Sequence, residues 1–136
     1  LEITYGGINA KDLRHHSLAD LLVHVEADLN IVDHEEVIYS ERAFPVAELA
    51  REFARWLDLA AEPEVNFEFS SMSFDETGAI EISRVPSGWS VGSVFTPDRR
   101  SAPIAFVDLA ATLREFIGRV LRDVEALGLD AESILP

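Results

Sequence analysis

The sequence predicts an α+β fold, an antiparallel β-sheet with two amphipathic α-helices packed on one face. Two periodicities and one ordering carry this prediction. Apolar residues recur at every second position over 20–33 and again over 65–95, as in half-buried strands. They recur every third or fourth position over 44–61 and 107–127, which gathers them into helical stripes. The order is strands, helix, strands, helix, with none of the strand–helix–strand alternation that builds a parallel sheet. A chain of 136 residues is expected to form one domain over 1–136, with no internal repeat or linker.

Leu1, Ile3 and Tyr5 alternate with polar residues and predict a short strand that Gly6-Gly7 breaks; a polar loop over 9–17 follows. Leu21, Val23, Val25, Ala27, Leu29 and Ile31 then share one side of a strand, with His24, Glu26 and Asp28 on the other. Residues 33–36 make a turn and 37–41 a returning strand. Pro45 suits the first turn of a helix, and Val46, Leu49, Ala50, Phe53, Leu57 and Ala60 line its buried stripe.

Val65, Phe67 and Phe69 alternate with polar neighbours. The phase then slips at Ser70-Ser71, as at a bulge, and Met72 and Phe74 continue the apolar side. Gly78 closes a turn, and 79–85 pairs with 89–95 as a hairpin around Pro86-Ser87-Gly88. A loop over 96–102 leads to a short strand or lead-in at 104–107. The second helix follows, with Asp108 as its N-cap, Leu113, Phe116, Ile117 and Val120 on its buried stripe, and Gly128 just past its end. One more turn is expected near 131–135.

Charge narrows the function. Asp and Glu number 25 against 11 Lys and Arg, a net of −14. Such a surface disfavours nucleic acid and anionic membrane and favours a basic protein, although solubility alone also accounts for acidity. Residues 1–82 carry 18 of the acids and only five of the bases. Cysteine is absent, which excludes disulfides, thiol nucleophiles and cysteine-ligated zinc. No apolar run is long enough for a membrane span and no signal peptide is visible, so a cytoplasmic protein is expected.

Catalytic motifs are missing. Neither an HExxH nor a phosphate loop occurs, and Ser93 falls within an expected strand rather than on a nucleophile elbow. Asp33-His34-Glu35-Glu36 reads as a solvated turn, without the ligand spacing of a calcium loop. The chain is therefore expected not to be an enzyme and to use no metal or cofactor. The expected partner-binding residues are Glu26, Asp28, Glu68 and Glu81, each alternating with apolar neighbours and so pointing away from the core. If their strands share a sheet, the four carboxylates share its outer face, with Trp89 as an aromatic anchor beside them.

The stretches FPVAELAREFARWL, VNFEFSSMSF, GAIEISRVPSGWSVGSVF and VDLAATLREFIGRVL resemble a class of small bacterial domains, some of them similar to immunity proteins of interbacterial toxin systems. The likeness spans about 19–128 and rests on structural features, Trp56-Leu57 and Gly88-Trp89, with no catalytic residue. It implies a non-enzymatic inhibitor of a basic toxin. The alternative is a domain that binds a small molecule or self-associates, for instance as a homodimer.

Overall fold

A computed structural model describes residues 1–58 and 62–136. It has an α+β architecture of two three-stranded antiparallel sheets and three α-helices. The first sheet comprises β1 (Glu2–Asn9), β2 (Glu26–Asp33) and β3 (Glu36–Phe44), in that order. The second comprises β4 (Phe67–Glu68), β5 (Glu81–Val85) and β6 (Gly88–Gly92). The helices are α1 (Leu18–His24), α2 (Val46–Leu57) and α3 (Phe106–Ala126), followed by a 3₁₀ turn at Ala131–Ile134.

β1 continues past Gly6-Gly7 instead of ending there. Gly6 lies opposite Asp28 and Asn9 opposite Glu26, so the two glycines sit at a bulge, which Gly7 permits with a φ of 65°. The strand expected over 20–33 begins only at Glu26, because 18–24 is helical. Ser17 caps α1: its hydroxyl accepts the Asp20 N–H at 3.3 Å and donates to the Asp20 carboxylate at 2.7 Å. Leu21 and Leu22 are then buried on one face, and His24 ends the helix rather than lying on a sheet.

β2 alternates cleanly, with Ala27, Leu29 and Ile31 inward. β3 does not. Its ladder slips between Ile31 and Val32, placing Ile38 in a bulge, and this lets the consecutive residues Ile38 and Tyr39 both face the core.

α2 forms from Pro45, whose carbonyl accepts the Leu49 N–H at 3.1 Å; the proline caps the helix instead of occupying its first turn. Leu49 and Phe53 are fully buried and Leu57 half-buried; Ala60, expected on the same stripe, lies outside the described residues. α3 starts two residues before Asp108, with Ala105 at the cap. Asp108 is thus in the first turn, where its charge still complements the helix dipole. At the far end Gly128, at a φ of 80°, donates to Glu125 O and Leu129 N–H reaches Val124 O, the two bonds of a Schellman motif.

α2 packs against α3 and β2, and α3 also meets β1 and β6, so the helices cover the inner face of the first sheet and reach the second. A run of aromatic contacts marks this core: Tyr5 on Phe116 (5.7 Å between centroids), Phe116 on Phe53 (5.6 Å), Phe53 on Phe67 (5.1 Å) and Trp56 on Trp89 (5.3 Å). Buried Asp33 ties the sheets together. Its Oδ2 accepts the Ala102 N–H at 2.8 Å, from the segment that runs beside β6. There Trp89 and Ile104 exchange two backbone hydrogen bonds, and Ser101 N–H donates to Val91 O.

The strand expected at 65–74 is confined to Phe67–Glu68, and backbone pairing extends only to Phe69, which donates to Ile80 O and accepts the Gly78 N–H, both at 2.9 Å. Just beyond, Glu48 in the first turn of α2 accepts the Ser71 hydroxyl and the Met72 N–H. These bonds turn the chain away from the sheet, so the shift at Ser70-Ser71 is a strand end, not a bulge, and Met72 points to solvent.

Candidate protein-binding surface

Charge is divided between the layers. α2 and α3 together hold six acids and five arginines, a net of −1, so the rest of the chain carries −13. The acidity therefore belongs to the sheets and loops, not to the two long helices.

Among the described residues no helix covers the outer face of the first sheet, where Glu2, Thr4, Gly6, Asp28 and Ser40 are exposed. Register places Glu2 beside Val32, Asn30 between Thr4 and Ser40, and Gly6 beside Asp28, with Glu26 opposite Asn9. Small side chains in the middle of this face leave it open. A shallow groove of about 490 Å³ crosses it between Asp28, Asn30, Ser40, Glu41 and Arg42. A second bulge sits under the groove, where Ala27 pairs with Phe44 but Leu29 with Glu41. Asp28 is exposed and uses one oxygen on the Ala43 N–H at 3.2 Å.

The four acids expected on one face thus form two pairs on two sheets. Glu26 and Asp28 share the outer face of β2. Glu68 and Glu81 are direct cross-strand partners in the second sheet, an arrangement that repels unless relieved. Arg100 relieves it with an ion pair to Glu81 at 3.5 Å. Period-two spacing gives the side of a strand but not which strands it joins.

Trp89 is no surface anchor. It is 1% exposed, its Nε1–H donates to Glu62 Oε1 at 2.7 Å, and it packs edge-on against Trp56. The pairing of Ile104 with Trp89 covers what sequence alone presents as a sheet edge. Trp56 is also buried, with its indole N–H donated to Val65 O at 3.0 Å.

Glu48 is a buried carboxylate, 5% exposed. Burial pushes its pKa up, and the nearby charge of Glu52 adds to this, while the bonds from Ser71 and Met72 work in the opposite direction. Its carboxylate is spent on holding a loop. Ser93 is likewise occupied, its hydroxyl accepting the Phe95 N–H at 3.1 Å. Among the described residues, no three His, Asp or Glu side chains are placed to hold a metal ion. None of the helices described is long and apolar enough to cross a membrane.

What these features define is an α+β protein with an uncovered acidic sheet face. The chain belongs to the family described as a domain of unknown function, DUF7878, which matches residues 1–126. No curated protein and no solved structure matches it.

Proposed function

We propose that this chain is a non-enzymatic, acidic protein-binding domain that takes a basic protein partner on its sheet side, in the manner of an immunity-type inhibitor of a basic toxin. The observation that supports this reading is the uneven charge, with −13 outside the two long helices and Glu2, Glu26 and Asp28 on an open face. Such a field speeds encounter with a cationic surface and blocks the contacts by which a basic nuclease grips phosphate. Its resemblance to immunity-like domains points the same way. The groove on the open face is shallow and open, whereas small-molecule sites are enclosed, so a macromolecular partner fits it better.

The test is affinity capture on the immobilised domain at low and high salt, followed by stopped-flow association of the identified protein. The comparison is between the native chain, Glu26→Gln/Asp28→Asn and Glu68→Gln/Glu81→Gln. Association should slow by roughly 10–1,000-fold from low to high salt, and the Glu26/Asp28 variant should be slower than the native chain at low salt. A rate indifferent to salt and to both pairs of substitutions overturns the reading in favour of self-association or a small ligand.

A further inference from the structure

An acidic face supplies rate and selectivity, but stable interfaces also have an apolar anchor that excludes water. With Trp89 buried, the anchor lies elsewhere. Of the eight large apolar side chains exposed among the described residues, Phe95 (44% exposed) is in ring contact with the half-buried Phe74, and Met72 (64%) lies on the same loop as Phe74. The segment after Phe95 runs along β3, where Thr96 Oγ1 donates to Ile38 O at 2.9 Å and Arg99 to Val37 O at 3.5 Å. The Phe95 ring stacks on buried Tyr39 at 6.3 Å and meets half-buried Phe74 at 6.1 Å. Phe74 sits two residues from Met72, on the loop that Glu48 turns outward.

Acids border these residues. Glu36 precedes Val37, Glu41 accepts the Tyr39 hydroxyl at 3.1 Å, and Asp75 and Glu76 follow Phe74. The bases nearest in the chain to these positions are Arg42 and Arg99. An apolar contact site bordered by charge is a usual form of protein-docking site, and the acids beside Phe74 and Tyr39 favour a cationic occupant.

We propose that the Phe95–Phe74 pair, with Met72 on the same loop as Phe74, anchors a cationic amphipathic segment of the partner protein. An apolar side chain of the segment seats against Phe95, and flanking Lys or Arg residues meet Glu36, Glu41, Asp75 and Glu76. This rests on the reading of the chain as a binder of basic proteins, and adds where the partner holds on.

The test uses dye-labelled 14-residue peptides of Lys and Leu with an amphipathic pattern, a Lys/Ser analogue and a Glu/Leu analogue, read by fluorescence anisotropy. The Lys/Leu peptide should bind at least tenfold more tightly than the Lys/Ser peptide, and the Glu/Leu peptide should not bind. Phe95→Ser should weaken the Lys/Leu peptide at least tenfold and leave the Lys/Ser peptide unchanged. Met72→Ser, whose side chain makes little packing contact, should weaken it severalfold and decides the matter if Phe95→Ser fails to fold. Equal binding of both cationic peptides, with either folded variant unchanged, overturns the anchor while leaving the electrostatic reading standing. Failure of both cationic peptides to bind the native chain ends both. A native dimer in sedimentation that Phe95→Ser splits would identify a second copy as the occupant and also overturn the proposal.

Discussion

Asp28 accepts the backbone N–H of Ala43 at 3.2 Å, and Ala43 is held at a φ of 52°. That region suits glycine and costs an L-residue roughly 1–2 kcal/mol. The strain sits at the bulge beneath the open groove. Ala43→Gly should raise the unfolding free energy by about 0.5–1 kcal/mol, since relief of strain outweighs the added freedom of the unfolded chain. Urea denaturation of the two chains measures it, and a loss of stability would show that the bulge does not strain Ala43. Asp28→Asn keeps an acceptor for the same N–H, which makes it the cleaner substitution for removing charge here.

The β2–β3 hairpin turns through His34 and Glu35, at φ values of 49° and 68°, between the paired residues Asp33 and Glu36. This is the two-residue turn in which Asn-Gly is strongly preferred. Glu35→Gly should therefore stabilise the protein, by about 0.5–1 kcal/mol, and should also remove one charge from a crowded acidic segment. A thermal midpoint that falls on this substitution would contradict the assigned turn.

Phe116 joins α3 to Tyr5 of the first sheet and Phe53 of α2, at centroid distances of 5.7 and 5.6 Å. Truncation to alanine should cost about 3–5 kcal/mol, from lost transfer energy and the cavity left behind. Chemical denaturation reads it directly. A change below about 1 kcal/mol is incompatible with a side chain buried among these neighbours.

Burial raises the pKa of Glu48 above its ordinary value of 4.5, so the folded state holds that proton more tightly than the unfolded state. The sign follows from linkage: Glu48 favours folding most below the ordinary value, and this contribution is lost as pH rises through the higher folded pKa. Glu48→Gln keeps a side-chain oxygen to accept from Ser71 or Met72 but cannot ionise. The stability of the variant relative to the native chain should increase between about pH 4 and neutrality, then level off. A difference independent of pH would place the ionisation of Glu48 outside the folding equilibrium.

Both long helices were readable because a stripe spaced by three and four is a local property, and Leu49, Phe53, Phe116 and Val120 are buried as their spacing requires. The Pro86-Ser87 turn and Gly128 were readable for the same reason. The α1 segment also carries a strand pattern, because Leu21, Val23 and Val25 satisfy a period of two. The Ser17…Asp20 pair was the signal that separates the two, a capping box ahead of an apolar run. Other features depend on distant partners. Glu48 holds the loop after β4 from another element, 23 residues away from Ser71, and Ile104 covers Trp89 from 15 residues further along the chain. Neither contact leaves a trace in local periodicity. The candidate surface was legible as acidic but not as divided, since which strands pair is decided by the whole fold.

The strip that borders β6 has a further consequence. Ser101 and Ile104 turn their N–H groups inward to Val91 and Trp89, the Ala102 N–H is taken by Asp33, and Pro103 has none to give. From 101 to 104 no backbone donor is left for a foreign strand. A neighbouring molecule therefore meets a rim that offers it no N–H, which protects this edge of the second sheet against edge-to-edge pairing. Substituting Pro103 with a residue that carries an N–H would reopen that rim, a liability that would grow with protein concentration while the monomer itself stayed folded.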